Sequence, residues 1–391
     1  MILKTLSSCK QSLKGKRVLL RVDFNVPLTR SGRPANLERL QASLPTIKYL
    51  VAKGAKIVIL SHLGRPNGRI EAGLSNKPVA MALSRLLKRP VTFIAGKIPT
   101  VTDPRMKLKN GQIVFLENLR FFKGEEKNDR AFAAQLAALG DIYINDAFAV
   151  SHRANASLCA VTQFLPSFAG LLLAKEVSNL TKVFSFAKKP KIAIIGGAKT
   201  ETKVKLVSSL LPIVDKILLG GAVANDFLRA KGFSIGASLA SVKSPNGLKS
   251  FLGSNKLVLP SDVVVANSLS KPKIFKTKKN NEVLKTEAIV DLGPETIKKY
   301  LAEIMKAKLV LWNGPLGYFE FKQARLGTIS IAKLLASPKF KGYGVIGGGE
   351  TLEAGKWTNR KNIFVSTGGG AMLEFLSGNR LSALLPLILK K

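Results

Sequence analysis

The chain has 391 residues, 62 of them Lys or Arg against 24 Asp or Glu, a formal net charge of +38, with 46% hydrophobic and 22% charged residues. That balance belongs to a globular protein long enough for two or three domains, and it excludes disordered and fibrous classes. No apolar run approaches the roughly 20 residues of a membrane span, and the start "MILKTLSSCK" lacks a leader's apolar core, so a soluble, cytoplasmic protein with no membrane partner is expected.

Ten short apolar runs read as strands in chain order: 17–22, 56–60, 113–116, 142–144, 191–195, 216–219, 256–259, 308–312, 344–346 and 363–365. Most are continuous rather than alternating, as parallel strands covered on both faces require. Stretches such as 39–53 and 128–139 place apolar residues at helical spacing between them. The fold class is therefore α/β, with two doubly wound, Rossmann-like parallel-sheet domains.

The segments at the strand tips differ between the halves. The first half reads "DFNVP", "SHLGRP", "ENLRFF" and "NDAFAVSHR", bringing Arg, His, Asp and Asn. The second reads "GGAKTETK", "GGAVANDF", "NGPLGYFE", "GGGET" and "STGGGAM", bringing glycine-rich backbone and lysine. Open parallel sheets bind ligands at the carboxyl ends of their strands, so the asymmetry predicts a small-anion pocket in one domain and a nucleotide cradle in the other. The stretch 165–190 reads as a connecting helix that Pro166 can start and Pro190 must end. The expected division is 1–168, a hinge at 169–188, 189–380, and a tail at 381–391 that packs back on the first domain.

Arg21, Arg39, Arg65, Arg120 and Arg153 lie in or near first-half strand tips, and arginine suits bidentate recognition of carboxylate and phosphate. A single such arginine is ordinary surface; several on one sheet edge form a receptor. His62 reads either as an anion donor or as a structural imidazole. Lys199 and Lys203 are four apart, which on a helix puts them on one face beside Gly196 and Gly197. Glu350 reads either as a magnesium ligand or as a helix N-terminal acid. Cys9 and Cys159 share no ligand spacing, and with two histidines in the chain a zinc site is not expected. No acid–base constellation stands out, which favours phosphoryl transfer, a reaction run by positioning and charge.

In order, "RVDFNVP", "SHLGRP", "ENLRF", "SHRA", "GGAK", "WNGP", "GGGET" and "VSTGGGA" resemble the signature segments of the phosphoglycerate kinases, from about residue 15 to about residue 380. The resemblance implies a monomer with a hinge and a cleft between its domains, and reversible transfer from 1,3-bisphosphoglycerate to MgADP. It implies glycerate binding by Asp23, Phe24, Asn25, Arg39, His62, Leu63, Gly64, Arg65, Arg120 and Arg153. Arg39, Lys199, Gly368 and Gly369 would serve the group in transit. Lys203, Asn313, Glu320, Gly348, Gly349, Glu350 and Thr351 would hold ADP or ATP, with Glu350 facing Mg²⁺. Three positions depart from the family pattern: Glu350 stands for the usual Asp, Asn155 for His and Met372 for Ser. The alternative reading is a weakly active, basic, nucleotide-responsive protein that binds nucleic acid; it rests on the charge of +38 and on nothing more specific.

Overall fold

Apolar runs with no polar face become interior strands. In the computed structural model, which describes residues 2–357 and 360–389, β1 (Arg17–Arg21), β2 (Lys56–Leu60), β3 (Thr92–Ile94), β4 (Ile113–Leu116), β5 (Ile142–Asn145) and β6 (Ser167–Ala169) form a parallel sheet ordered β3-β4-β2-β1-β5-β6. Successive residues face opposite sides, so Val18 and Leu20 enter one core while Leu19 enters another. Helices α1 (Glu38–Ala52), α2 (Lys77–Leu87), α3 (Lys123–Glu126) and α4 (Arg130–Ala137) belong to the same unit.

A second parallel sheet has the order β15-β14-β13-β7-β8-β9, formed by β7 (Lys191–Ile195), β8 (Lys216–Leu219), β9 (Leu257–Val258), β13 (Leu309–Asn313), β14 (Tyr343–Gly347) and β15 (Ile363–Ser366). Ile192, Ile194, Val310, Trp312 and Ile346 pack one of its faces. Its helices are α6 (Thr200–Leu210), α7 (Gly221–Ala230), α8 (Pro294–Lys306), α9 (Leu326–Ala336), α10 (Gly349–Glu353) and α11 (Gly370–Leu376). Both sheets reverse their strand order next to the first strand of the unit, which opens the strand carboxyl ends to a ligand.

The chain clusters into Met1–Ser178 with Arg380–Lys391, and Asn179–Asn379. Helix α5 (Leu171–Ser185) carries the chain from one to the other. It does not start at Pro166 as its proline suggested: Ser167–Ala169 pairs with Tyr143–Asn145 as edge strand β6. The helix begins only where Asp146 Oδ1 accepts the N–H groups of Leu172 and Leu173 at 2.9 and 3.3 Å.

A three-stranded antiparallel sheet, ordered β11-β10-β12, is absent from the strands expected from the sequence; it comprises β10 (Asp262–Ala266), β11 (Phe275–Lys279) and β12 (Ala288–Leu292). Its edge strand is the lysine-rich "FKTKK", which has no apolar run to mark it as a strand. Lys276 and Lys278 stand opposite Val265 and Val263, and lysine stems can cover such apolar neighbours while the ammonium stays wet. Charge on an edge strand also prevents pairing with other chains.

Both tryptophans, Trp312 and Trp357, lie in the unit built on the second parallel sheet, so indole fluorescence reports its unfolding. Ile194 is fully buried in its central strand. Ile194→Ala is expected to destabilise that unit by roughly 2–5 kcal/mol, read as a lower urea midpoint. An unchanged midpoint would contradict the packing described.

Candidate active site

The loop after β1 folds back on itself. Asp23 accepts the Asn25 N–H at 3.2 Å and pairs with Arg39 at the start of α1. Asn25 Oδ1 accepts the Gly64 N–H at 2.9 Å, which ties the tip after β1 to the tip after β2. Gly64 is at φ +63°, and a Cβ there would strike Leu74. Asn118 continues the tie: its Oδ1 accepts from Leu63 and Arg120 N–H, while its amide donates to the Leu63 and Leu74 carbonyls. Arg120 then donates to the Gly64 carbonyl at 2.6 Å and meets Glu126 at 3.1 Å. The strand tips become one surface by side-chain-to-backbone hydrogen bonds.

His62 is buried in this surface. Burial and then the charges of Arg21, Arg120, Arg153 and Arg39 hold its imidazole well below the usual range, so it is neutral at pH 7. Four of the five arginines singled out in the sequence therefore converge on one imidazole. Arg65 is exposed. Arg21 is fully buried, as His62 and Arg120 are, and its guanidinium donates to Ser157 and the Val22 carbonyl. Phe24 contributes no side chain to the surface either; its ring lies in the core, edge-on to Phe115, while its N–H donates to Ser61 Oγ at 3.1 Å. Asn155 turns inward, with its amide 3.4 Å from Glu125 Oε1.

The second sheet builds its site from backbone. A Cβ on Gly196 would collide with the Pro315 carbonyl, and Gly197 at φ +89° donates to that same carbonyl at 2.7 Å. No other residue permits this approach. Lys199 is the N-cap of α6, not a helical residue, and is exposed; Lys203 on α6 is 5% exposed and donates to Asn313 Oδ1 at the end of β13. The expected shared face is thus absent, because the helix starts one residue after Lys199. Burial pulls the Lys203 ammonium down to about 8, against the pull of Glu350.

Glu350 lies in the first turn of α10, whose N-cap is Gly348 at φ +104°. Burial and the charges of Glu320 and Glu353 raise its carboxyl, while Lys203 opposes them. Thr351 is buried and accepts the Gly314 N–H at 2.9 Å, bracing the loop after β13. Gly368 donates to Ser366 Oγ at 3.1 Å, and Gly369 at φ +48° leads into α11. Met372 fills the space beside Gly347, where a Cβ would collide with its sulfur. A cavity of about 200 Å³ is lined by Gly197, Gly221, Glu320, Glu350 and the buried Asp291. Asp291, for which the sequence holds no signal, is pushed up to about 6 by burial and accepts the Gly327 and Leu292 N–H groups.

Among the described residues no group of three or more His, Cys, Asp or Glu side chains gathers to hold a metal ion. The carboxylates present fit magnesium of the kind shared with substrate phosphates: Glu350 and Glu320 both line the cavity, and a cation would offset the cost of ionising Glu350.

One doubly wound unit edged with arginine and another edged with glycine backbone and lysine form the layout of a two-domain kinase. The family model described as phosphoglycerate kinase matches residues 9–379. A phosphoglycerate kinase of Wolbachia sp. subsp. Brugia malayi is 42% identical over 388 residues, 94% of each chain. One from Chlorobaculum tepidum is also 42% identical, over 97% of each. The solved phosphoglycerate kinase of Coxiella burnetii superposes with a TM-score of 0.85 at 38% identity, covering 99% of both chains. The chain belongs to the phosphoglycerate kinase family.

The Lys203 ammonium loses protons more readily in the folded chain than in the unfolded one. Between about pH 8 and 10.5 the unfolded chain therefore binds more protons, and stability contributed through this group rises with pH across that window. Lys203→Met is expected to remove this rise, measured as the tryptophan-reported urea midpoint against pH. An identical pH slope in the variant would contradict the burial of this charge.

Proposed function

We propose that the chain catalyses reversible phosphoryl transfer from 1,3-bisphosphoglycerate to MgADP, giving 3-phosphoglycerate and MgATP, as a cytoplasmic monomer. One observation carries this reading: four arginines surround a neutral His62 in one unit, while a buried lysine stands beside glycine backbone in the other. The nucleic-acid alternative finds no support in the comparisons.

Asp23, Asn25, His62, Arg65, Arg120 and Arg153 are assigned to the glycerate substrate, with Phe24, Leu63 and Gly64 belonging to the two segments that carry them, their N–H groups bonded within the protein. Asp23 also orients Arg39, whose guanidinium stabilises the equatorial oxygens of the moving group, together with Lys199 and the Gly368–Gly369 backbone. Lys203, Asn313, Gly348 and Gly349 hold the nucleotide phosphates, Thr351 braces their loop, and Glu320 takes the ribose. When magnesium is bound, with Glu350 as its protein ligand, it supplies charge neutralisation on the phosphates. In either direction the acceptor oxygen, on the ADP phosphate or on the carboxylate of 3-phosphoglycerate, is already ionised at neutral pH, so no side chain has to remove a proton. The substrate atoms must be brought into line, and hinge bending at α5 is the assigned means.

Magnesium-dependent ATP consumption driven by 3-phosphoglycerate, with the acyl phosphate removed by a coupling enzyme, tests the reading. Turnover is expected; a folded protein inactive with both magnesium and manganese would overturn it. Arg39→Ala is expected to lower kcat by about a thousandfold while MgADP affinity, measured by calorimetry, stays within twofold. A comparable loss of MgADP affinity would contradict the assignment of the two ligands to separate units.

A further inference from the structure

The buried side of the arginine surface contains a connected chain of hydrogen bonds behind the groups assigned to the ligand. Glu125 on α3 is fully buried, and its Oε1 accepts the Ser157 hydroxyl at 2.6 Å while Oε2 accepts the Ser157 N–H at 3.0 Å. Ser157 Oγ in turn accepts from Arg21 Nε at 2.8 Å. The Arg21 NH2 group lies 3.2 Å from His62 Nδ1 and 3.8 Å from Glu125 Oε1. Tyr143 and Asn155 close the enclosure, the phenol donating to the Ser157 carbonyl at 2.7 Å.

A guanidinium has donors only. Its approach to Nδ1 is compatible with one neutral tautomer of His62, in which Nδ1 accepts and Nε2 carries the proton. We propose that Glu125, Ser157 and Arg21 are positioning residues that fix the His62 imidazole with its proton on Nε2, so that it meets the anionic substrate as a hydrogen-bond donor. The geometry assigns each a part. Glu125 balances the buried guanidinium, Ser157 sets its rotation by donating to one neighbour and accepting from the other, and Arg21 blocks protonation at Nδ1. Charge from four elements acts in the same direction, since Arg21 on β1, Arg39 on α1, Arg120 after β4 and Arg153 after β5 all disfavour an imidazolium. The residue at 155, where the family pattern has histidine, belongs to this enclosure and supports Glu125. Only the kinetic consequence rests on assigning this unit to the glycerate substrate.

The chain has two histidines, His62 and His152, so ring ¹⁵N shifts can be assigned by comparison with His62→Gln. In the ligand-free protein, His62 is expected to show one unprotonated Nδ1 and one protonated Nε2, unchanged from pH 7.5 down to 5.5. Ser157→Ala removes the hydroxyl between Glu125 and Arg21; it is expected to give mixed tautomers, and to raise KM for 3-phosphoglycerate about tenfold with kcat within twofold. Ser157→Thr, which keeps the hydroxyl, is expected to restore both. Wild-type His62 protonated at Nδ1, or titrating near its ordinary value, would overturn the proposal. So would a tautomer unchanged in Ser157→Ala. Expected tautomers in a protein without glycerate-driven turnover would leave the positioning intact and overturn only the assigned reaction.

Discussion

Gathering like charges is the constraint on which the rest of the structure depends. A receptor for small anions needs several fixed cations within reach of one point, and those cations repel one another. In the first unit burial, and then the charges of neighbouring arginines, lower both Arg120 and His62, so the guanidiniums must be held by something stronger than position in the chain. The holding groups are local: Asp23 for Arg39, Glu126 and the Gly64 carbonyl for Arg120, Ser157 with Glu125 for Arg21. These are charge-assisted bonds, mostly in places where a lost partner leaves a buried charge uncompensated. The parallel sheet supplies the frame, since its strand ends bring segments far apart in sequence to a common edge.

The second unit solves a related problem with fewer side chains. Glycine lets two loops interpenetrate there: a Cβ on Gly196 would meet the Pro315 carbonyl, to which the Gly197 N–H donates. A single lysine is buried among them, and the cost of that burial appears as a lowered affinity for its proton. A bound polyphosphate would reverse that cost, which couples ligand charge to the protonation of Lys203. Burial, then Glu320 and Glu353, raise the Glu350 carboxyl, and the Lys203 ammonium opposes them.

Continuous apolar runs made the parallel strands readable from the sequence except the three-residue edge strands β3 and β6, too short to stand out, and the strand-tip residues made the two edges readable as different in kind. The β11 edge strand was hidden because its stability comes from pairing with Val263 and Val265, a tertiary fact that its lysines disguise. Lys199 and Lys203 looked like neighbours because helical spacing was assumed to begin before it does. Arg21 looked like a ligand-facing arginine because sequence marks the end of a strand but not which way its last side chain points. Glu125 and Ser157 gave no signal at all; a buried acid is indistinguishable from a surface acid until its partners, 32 residues apart in the chain, are seen together.

On the proposed mechanism charge and position, not proton transfer, lower the barrier: the acceptor is ionised, and His62 serves as a fixed donor rather than a shuttle. The most direct test is the single-turnover rate of transfer from MgATP to 3-phosphoglycerate, measured by rapid quench in H₂O and D₂O from pH 6 to 7.5. A solvent isotope effect close to 1 with a flat profile is the predicted result. A bell-shaped or sloping profile accompanied by an isotope effect of about 2 or more would mark a proton moving in the transition state, and would contradict it.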